Sequence, residues 1–135
     1  MNYKLYVNGK CESPRSFNAN MGIGGVILND YGKEISFSKN IGIGTCCEAQ
    51  VYAVLNGLYE ILKFKDASSI NIYISNLMLV NYLNEKEIDI SSSNKALFLK
   101  LKDIIGEINI NMRFEYFEVN DYNYIRTLAE DAVNL

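Results

Sequence analysis

Histidine and tryptophan are missing altogether, and 135 residues contain one proline and three cysteines. Each scarcity excludes something. Without histidine the chain lacks the commonest general base and the commonest metal ligand at neutral pH. Cys11, Cys46 and Cys47 make an odd count with no CxxC spacing, which argues against a disulfide framework or a zinc site. The adjacent Cys46 and Cys47 suit either a redox-active pair or two small buried residues, and burial is the expectation. Pro14 is the one proline and Ser91-Ser92-Ser93 the one low-complexity stretch. Nothing therefore marks a linker or an internal repeat, and residues 1–135 are expected to form a single domain. No apolar run approaches the roughly 18 residues that a membrane span requires. Met1-Asn2-Tyr3-Lys4-Leu5-Tyr6-Val7 alternates like a strand and lacks the apolar core of a secretory signal, so a cytoplasmic location is expected.

Positive charge is also scarce. The formal charge is −3, which gives no broad attraction to nucleic acid. Arginine occurs only at Arg15, Arg113 and Arg126 among thirteen basic residues. The apolar share of 49% is ordinary for a globular protein. The length suffices for a core without help from disulfides or metals.

The pattern of what is present reads as an α/β domain. Residues 3–8 alternate and meet Gly9, predicting a first strand; 22–28 predicts a second, and Asn29-Asp30-Tyr31-Gly32 a turn into a third over 33–41. Thr45 is placed as an N-cap for a helix reaching Phe64, with Ala49, Ala53, Val54, Gly57, Leu58 and Ile61 recurring at three- and four-residue spacing. A strand at 70–74, a short helix carrying Leu79, Val80 and Leu83, and a polar loop over 84–93 follow. A helix over 94–107, a strand over 110–119 and a helix over 122–133 complete the chain. That order implies a mixed sheet covered by helices.

Local words then sharpen the reading. Tyr6-Val7-Asn8-Gly9-Lys10-Cys11 resembles the YTDGSC opening of type 1 ribonuclease H, and Gly22-Ile23-Gly24-Gly25-Val26-Ile27-Leu28 its glycine-rich second strand. The run Thr45 to Leu58 lies without gaps on that family's TNNxAEYxALxxGL helix. Ile70-Asn71-Ile72-Tyr73-Ile74-Ser75-Asn76 resembles VxVYTDS, and Leu128-Ala129-Glu130-Asp131-Ala132 the closing helix. The words fall in the family's order along essentially the whole chain. The resemblance implies a five-stranded mixed sheet of order 3-2-1-4-5 with helices on both faces. It also implies a cleft where four carboxylates hold two Mg²⁺ ions to hydrolyse the RNA strand of an RNA–DNA hybrid.

On this resemblance the four acidic positions fall on Asn8, Gln50, Ser75 and Arg126, none of them a carboxylate. Shifting each position by one residue restores no acid. Glu48 lies two residues from Gln50, about 200° around a helix, and belongs on a solvated first turn. Asp131 is off the required face, while Asp121 stays open because the loop before the last helix aligns poorly. The family's loop histidine is absent too. The expectation is a pseudoenzyme that binds no metal or other cofactor and does not cleave a hybrid.

Three functions follow in order of preference. The first is a protein-interaction or scaffold module with a protein partner or a second copy, supported by the acidic balance and ten tyrosines, among them Tyr116, Tyr122 and Tyr124 near Phe117. The second is non-cleaving binding of RNA or an RNA–DNA hybrid, with Lys10, Cys46, Cys47 and Arg126 as candidate contacts. Against it, the family's paired asparagines are Cys46 and Cys47 here, and the segment Asn84 to Ile90, where relatives carry a basic protrusion, is net acidic. The third is a divergent active nuclease.

Overall fold

The computed structural model describes residues 1–12 and 19–134; Pro14 and Arg15 fall outside them. The described residues form one five-stranded sheet, in the order β3-β2-β1-β4-β5. Strands β1 (Asn2–Cys11), β2 (Ala19–Leu28) and β3 (Glu34–Gly44) run antiparallel, while β4 (Ser69–Ile74) and β5 (Asn111–Tyr116) extend the sheet in parallel from β1. The helices are α1 (Cys46–Leu62), α2 (Leu77–Leu83), α3 (Ser92–Glu107) and α4 (Asn123–Val133), with a 3₁₀ turn at Val119–Asp121. The expected sheet order, strand directions and helix sequence are all observed. None of these helices is long and apolar enough to cross a membrane.

Strand alternation sorts the side chains to two faces. Tyr3, Leu5 and Val7 of β1, with Ile70, Ile72 and Ile74 of β4, are buried in the larger core with Val54, Leu58 and Ile61 of α1 and Phe98 and Leu101 of α3. The opposite face carries Tyr6 and Asn8 from β1 and Tyr73 from β4, and its smaller apolar cluster joins Val26, Phe117 and Ile125. There α4 lies directly on β2, because a Cβ at Gly22 or Gly24 would collide with the helix backbone at Ala129.

Capping sets where the helices begin. Thr45 accepts from the Glu48 amide at 3.1 Å, and the Glu48 carboxylate accepts from the Thr45 amide at 3.3 Å, a reciprocal capping box. The Ser91 hydroxyl accepts from the Asn94 amide, so α3 starts two residues earlier than apolar spacing suggests. The last strand is shorter than expected. After Tyr116 the chain leaves the ladder, buries Phe117 and turns through Val119–Asp121. The acidic 84–90 segment is tied to α3 by a 3.2 Å ion pair between Glu85 and Lys102.

The cysteine expectation needs correction. Cys11, at the end of β1, and Cys46, the first residue of α1, are joined by a disulfide with their Cα atoms 5.1 Å apart. The partner is distant in sequence and adjacent in space, which spacing arguments do not capture. Cys11 is buried, whereas Cys46 and Cys47, expected to be buried, are only half-buried, and Cys47 is the free thiol among the described residues.

Candidate nucleic-acid cleft

Two backbone facts and one side-chain hydrogen bond bring the polar site together. In the parallel register Val7 stands beside Ile74, so the next residues, Asn8 and Ser75, emerge side by side on one face. Gly9 has no side chain, and a Cβ there would strike the α1 backbone at Ala49 and Gln50. The first turns of α1 therefore press onto β1, and the Gln50 amide donates to the Gly9 carbonyl at 2.8 Å.

The three side chains form a closed network. Ser75 Oγ donates to Asn8 Oδ1 at 2.8 Å and lies 3.3 Å from Gln50 Oε1, while Gln50 Nε2 reaches Asn8 Oδ1 at 3.5 Å. Asn8 is 5% exposed, a buried polar side chain whose Oδ1 is met by Ser75 and Gln50. Sequence reasoning named all three residues.

Arg126 stands one ion pair away. Its Nε lies 3.7 Å from Glu130 Oε1, and the same oxygen accepts from Lys10 Nζ at 2.9 Å. Lys10 is two residues beyond Asn8 on the same face of β1. Hydrogen bonding from Lys10 is the main cause that lowers the Glu130 pKa, with its charge and that of Arg126 adding to it. The rim of the cleft thus holds two cations around one anion. Arg126 Nε is buried and faces Glu130 Oε1 from beyond hydrogen-bond distance. Glu130 is the functional neighbour that sequence reasoning missed. Its i,i+4 spacing from Arg126 was the available signal.

The remaining candidates lie elsewhere. Cys46 is consumed by its bond to Cys11. Cys47 faces Asn94 of α3, and burial raises its thiol pKa. The Glu48 carboxylate is engaged in the cap of its own helix. Asp121 sits exposed in the 3₁₀ turn, with its amide donating to the Glu118 carbonyl.

Below the polar network the sheet carries aromatic rings. Tyr6 stacks on Tyr73 with centroids 4.4 Å apart, and Phe117 and Tyr122 meet Tyr6 at 5.6 and 5.9 Å. Burial is the first cause raising the pKa of both Tyr6 and Tyr73. Of the tyrosines singled out near Phe117, Tyr122 joins this cluster. Tyr116 instead donates to Glu118, and Tyr124 is exposed.

A divalent-cation pair, which the resemblance to type 1 ribonuclease H implies, does not fit the donors present. Mg²⁺ favours anionic oxygen, whereas Asn8, Gln50 and Ser75 are neutral and satisfy one another. Among the described residues no three Asp, Glu, Cys or His side chains are grouped to share a metal.

A mixed 3-2-1-4-5 sheet with a polar cleft at the ends of β1 and β4 defines the class of architecture. Solved structures then place it. No protein-family model and no curated protein matches the sequence. LC11-RNase H1, isolated from compost, superposes with a TM-score of 0.84 at 20% identity, over 98% of this chain and 96% of that one. The same enzyme in complex with an RNA/DNA hybrid gives a TM-score of 0.81 over the same shares at 20% identity. RNase H1 from the halophilic archaeon Halobacterium salinarum NRC-1 gives 0.81 at 13% identity, over 99% and 98% of the two chains. The chain has a ribonuclease H-like fold.

These matches correct the expectation that the chain is no enzyme. Its full-length structural neighbours are ribonucleases H. The exchanged side chains show an altered donor set and do not show inactivity.

Proposed function

We propose that this is a ribonuclease H-type nucleic-acid domain that receives an RNA–DNA hybrid across the cleft at Asn8, Gln50 and Ser75. The observation carrying this reading is a neutral floor beside a cationic rim. Lys10 and Arg126 flank the single carboxylate of Glu130. The Arg126 side chain is 39% exposed and offers its outer N–H groups to a phosphate oxygen, and charge-assisted hydrogen bonds to guanidinium are among the stronger polar contacts. The neighbour solved with an RNA/DNA hybrid supports the choice of ligand.

Fluorescence anisotropy with a labelled hybrid tests it. Arg126→Gln should weaken binding about tenfold and lower the salt slope by roughly one phosphate contact. Absence of binding by the unmodified protein, or an unchanged Arg126→Gln affinity, refutes the proposal. Gel analysis of the same samples with Mg²⁺ or Mn²⁺ tells whether the bound hybrid is also a substrate.

A protein-interaction module is the second reading, and one feature favours it. Away from the cleft, α1 and β3 border an open groove of about 470 Å³, lined by Met21, Ile41, Ile43, Tyr52 and Tyr59 among others. Ile43, Tyr52 and Tyr59 are exposed there. Cross-linking at this groove in the native host, lost on Ile43→Asp, would support this reading; cross-links that avoid it would count against it.

A further inference from the structure

The Cys11–Cys46 bond sits where it can act on the cleft. Cys11 ends the strand that carries Asn8 and Gly9, and Cys46 opens the helix that carries Gln50 one turn later. The bond therefore spans the same β1–α1 junction that the Gln50 side chain bridges by hydrogen bonding to the Gly9 carbonyl. Its two sulfurs differ in access. Cys11 is 1% exposed, whereas Cys46 is half-buried. Cys47 is a poor internal exchange partner, because neighbouring helical side chains diverge by about 100° and Cys47 is turned toward Asn94.

We propose that Cys11 and Cys46 form a reversible redox site, served by a small-molecule thiol of the glutathione type, that fixes or frees the β1–α1 junction at the cleft. In reduction, an external thiolate attacks Cys46 Sγ, the accessible sulfur. The Cys11–Cys46 bond breaks, and Cys11 leaves as a thiolate and takes up a proton. A second external thiolate attacks the external sulfur of the mixed disulfide, releasing Cys46. Two external thiols become one disulfide, and the protein gains two electrons and two protons. Oxidation by the external disulfide reverses both steps.

The oxidised state holds β1 and α1 together covalently. In the reduced state the junction rests on the Gln50–Gly9 hydrogen bond and the Gly9–Ala49 backbone contact. The stability and exchange readouts below do not depend on what the cleft binds, so they can fail separately from the hybrid reading.

Protein equilibrated with glutathione disulfide should yield a cross-linked peptide pair containing Cys11 and Cys46, with Cys47 alone alkylated. After reduction, the midpoint of thermal unfolding should fall. Amide exchange in the segments around Gly9 and Gln50 should quicken by about tenfold while the β4–β5 ladder stays unchanged. Cys46→Ser should match the reduced protein in both readouts, and it alters the more exposed sulfur, so the buried Cys11 is left in place. The proposal fails if glutathione disulfide does not rebuild the pair. It fails equally if the two states share one midpoint and one exchange pattern.

Discussion

Putting acids back into the cleft should make the protein less stable, and a divalent cation should reverse the loss. The perturbation is Asn8→Asp, Gln50→Glu and Ser75→Asp together. The native groups lie 2.8 to 3.5 Å apart. Unit charges about 3.5 Å apart repel by roughly 5 kcal/mol at an effective dielectric near 20. Protonation limits that penalty, since neutralising a carboxyl at pH 7 costs only about 4 kcal/mol. Position 8 is 5% exposed, so a charge there also loses hydration. The triple variant should therefore lose several kcal/mol at pH 7, a fall of more than about 10 °C in Tm for a domain of this size. Thermal unfolding followed by circular dichroism, at pH 7 and pH 5 and with or without millimolar Mn²⁺, measures each part. Acidification or Mn²⁺ should recover much of the variant's loss, while the native protein gains nothing from the metal. A variant as stable as the native protein at pH 7 would refute the reasoning. So would native protein that gains as much from Mn²⁺ as the variant does.

Two further outcomes follow from single side chains. Thr45→Ala removes the acceptor for the Glu48 amide and should cost about 1 kcal/mol, read as a lower urea midpoint with unchanged slope; an unchanged midpoint would show that the cap is not needed. Burial, with the Asp66 carboxylate accepting from its hydroxyl, pushes the Tyr3 pKa up to about 12. The folded value is raised, so this stability is whole below the ordinary tyrosine value near 10 and is lost as pH rises through 12. Tyr3→Phe should flatten the alkaline limb of stability against pH, and parallel profiles for the two proteins would contradict this.

Legibility in the sequence followed the range of the interaction. Ile70-Asn71-Ile72-Tyr73-Ile74 alternates without interruption, and β4 lies where that alternation is. The α1 face from Ala49 to Ile61 was readable because one helix period writes it. Asn8, Gln50 and Ser75 were found because each sits in a local word, and the β1–β4 register brings them together. Three features depended on pairs distant in sequence and were not legible. Cys11 and Cys46 are 35 residues apart, Lys10 and Glu130 are 120 apart, and Tyr6 meets Tyr73 only across the sheet. The early end of β5 was hidden for another reason. Phe117 and Val119 carry apolar residues on past Tyr116, though on the opposite parity to Met112 and Phe114. Phe117 buries its ring after the ladder has stopped, so apolar content alone extends the strand.

The glycine track along β2 also bears on how the chain reaches this state. Ser38 Oγ donates to the Leu128 carbonyl, and Asn40 Nδ2 donates to the Val133 carbonyl at 3.1 Å. These bonds join β3 to a helix about ninety residues later in the chain. Until α4 arrives, Gly22 and Gly24 leave a strip of β2 with almost no side chains, one face of an otherwise finished antiparallel sheet laid open. Contacts of such long range are made late, because closing the loop costs entropy before the contact repays it. A ribosome part-way through this chain thus carries a sheet with an uncovered face, the kind of surface on which nascent chains associate with one another or with chaperones.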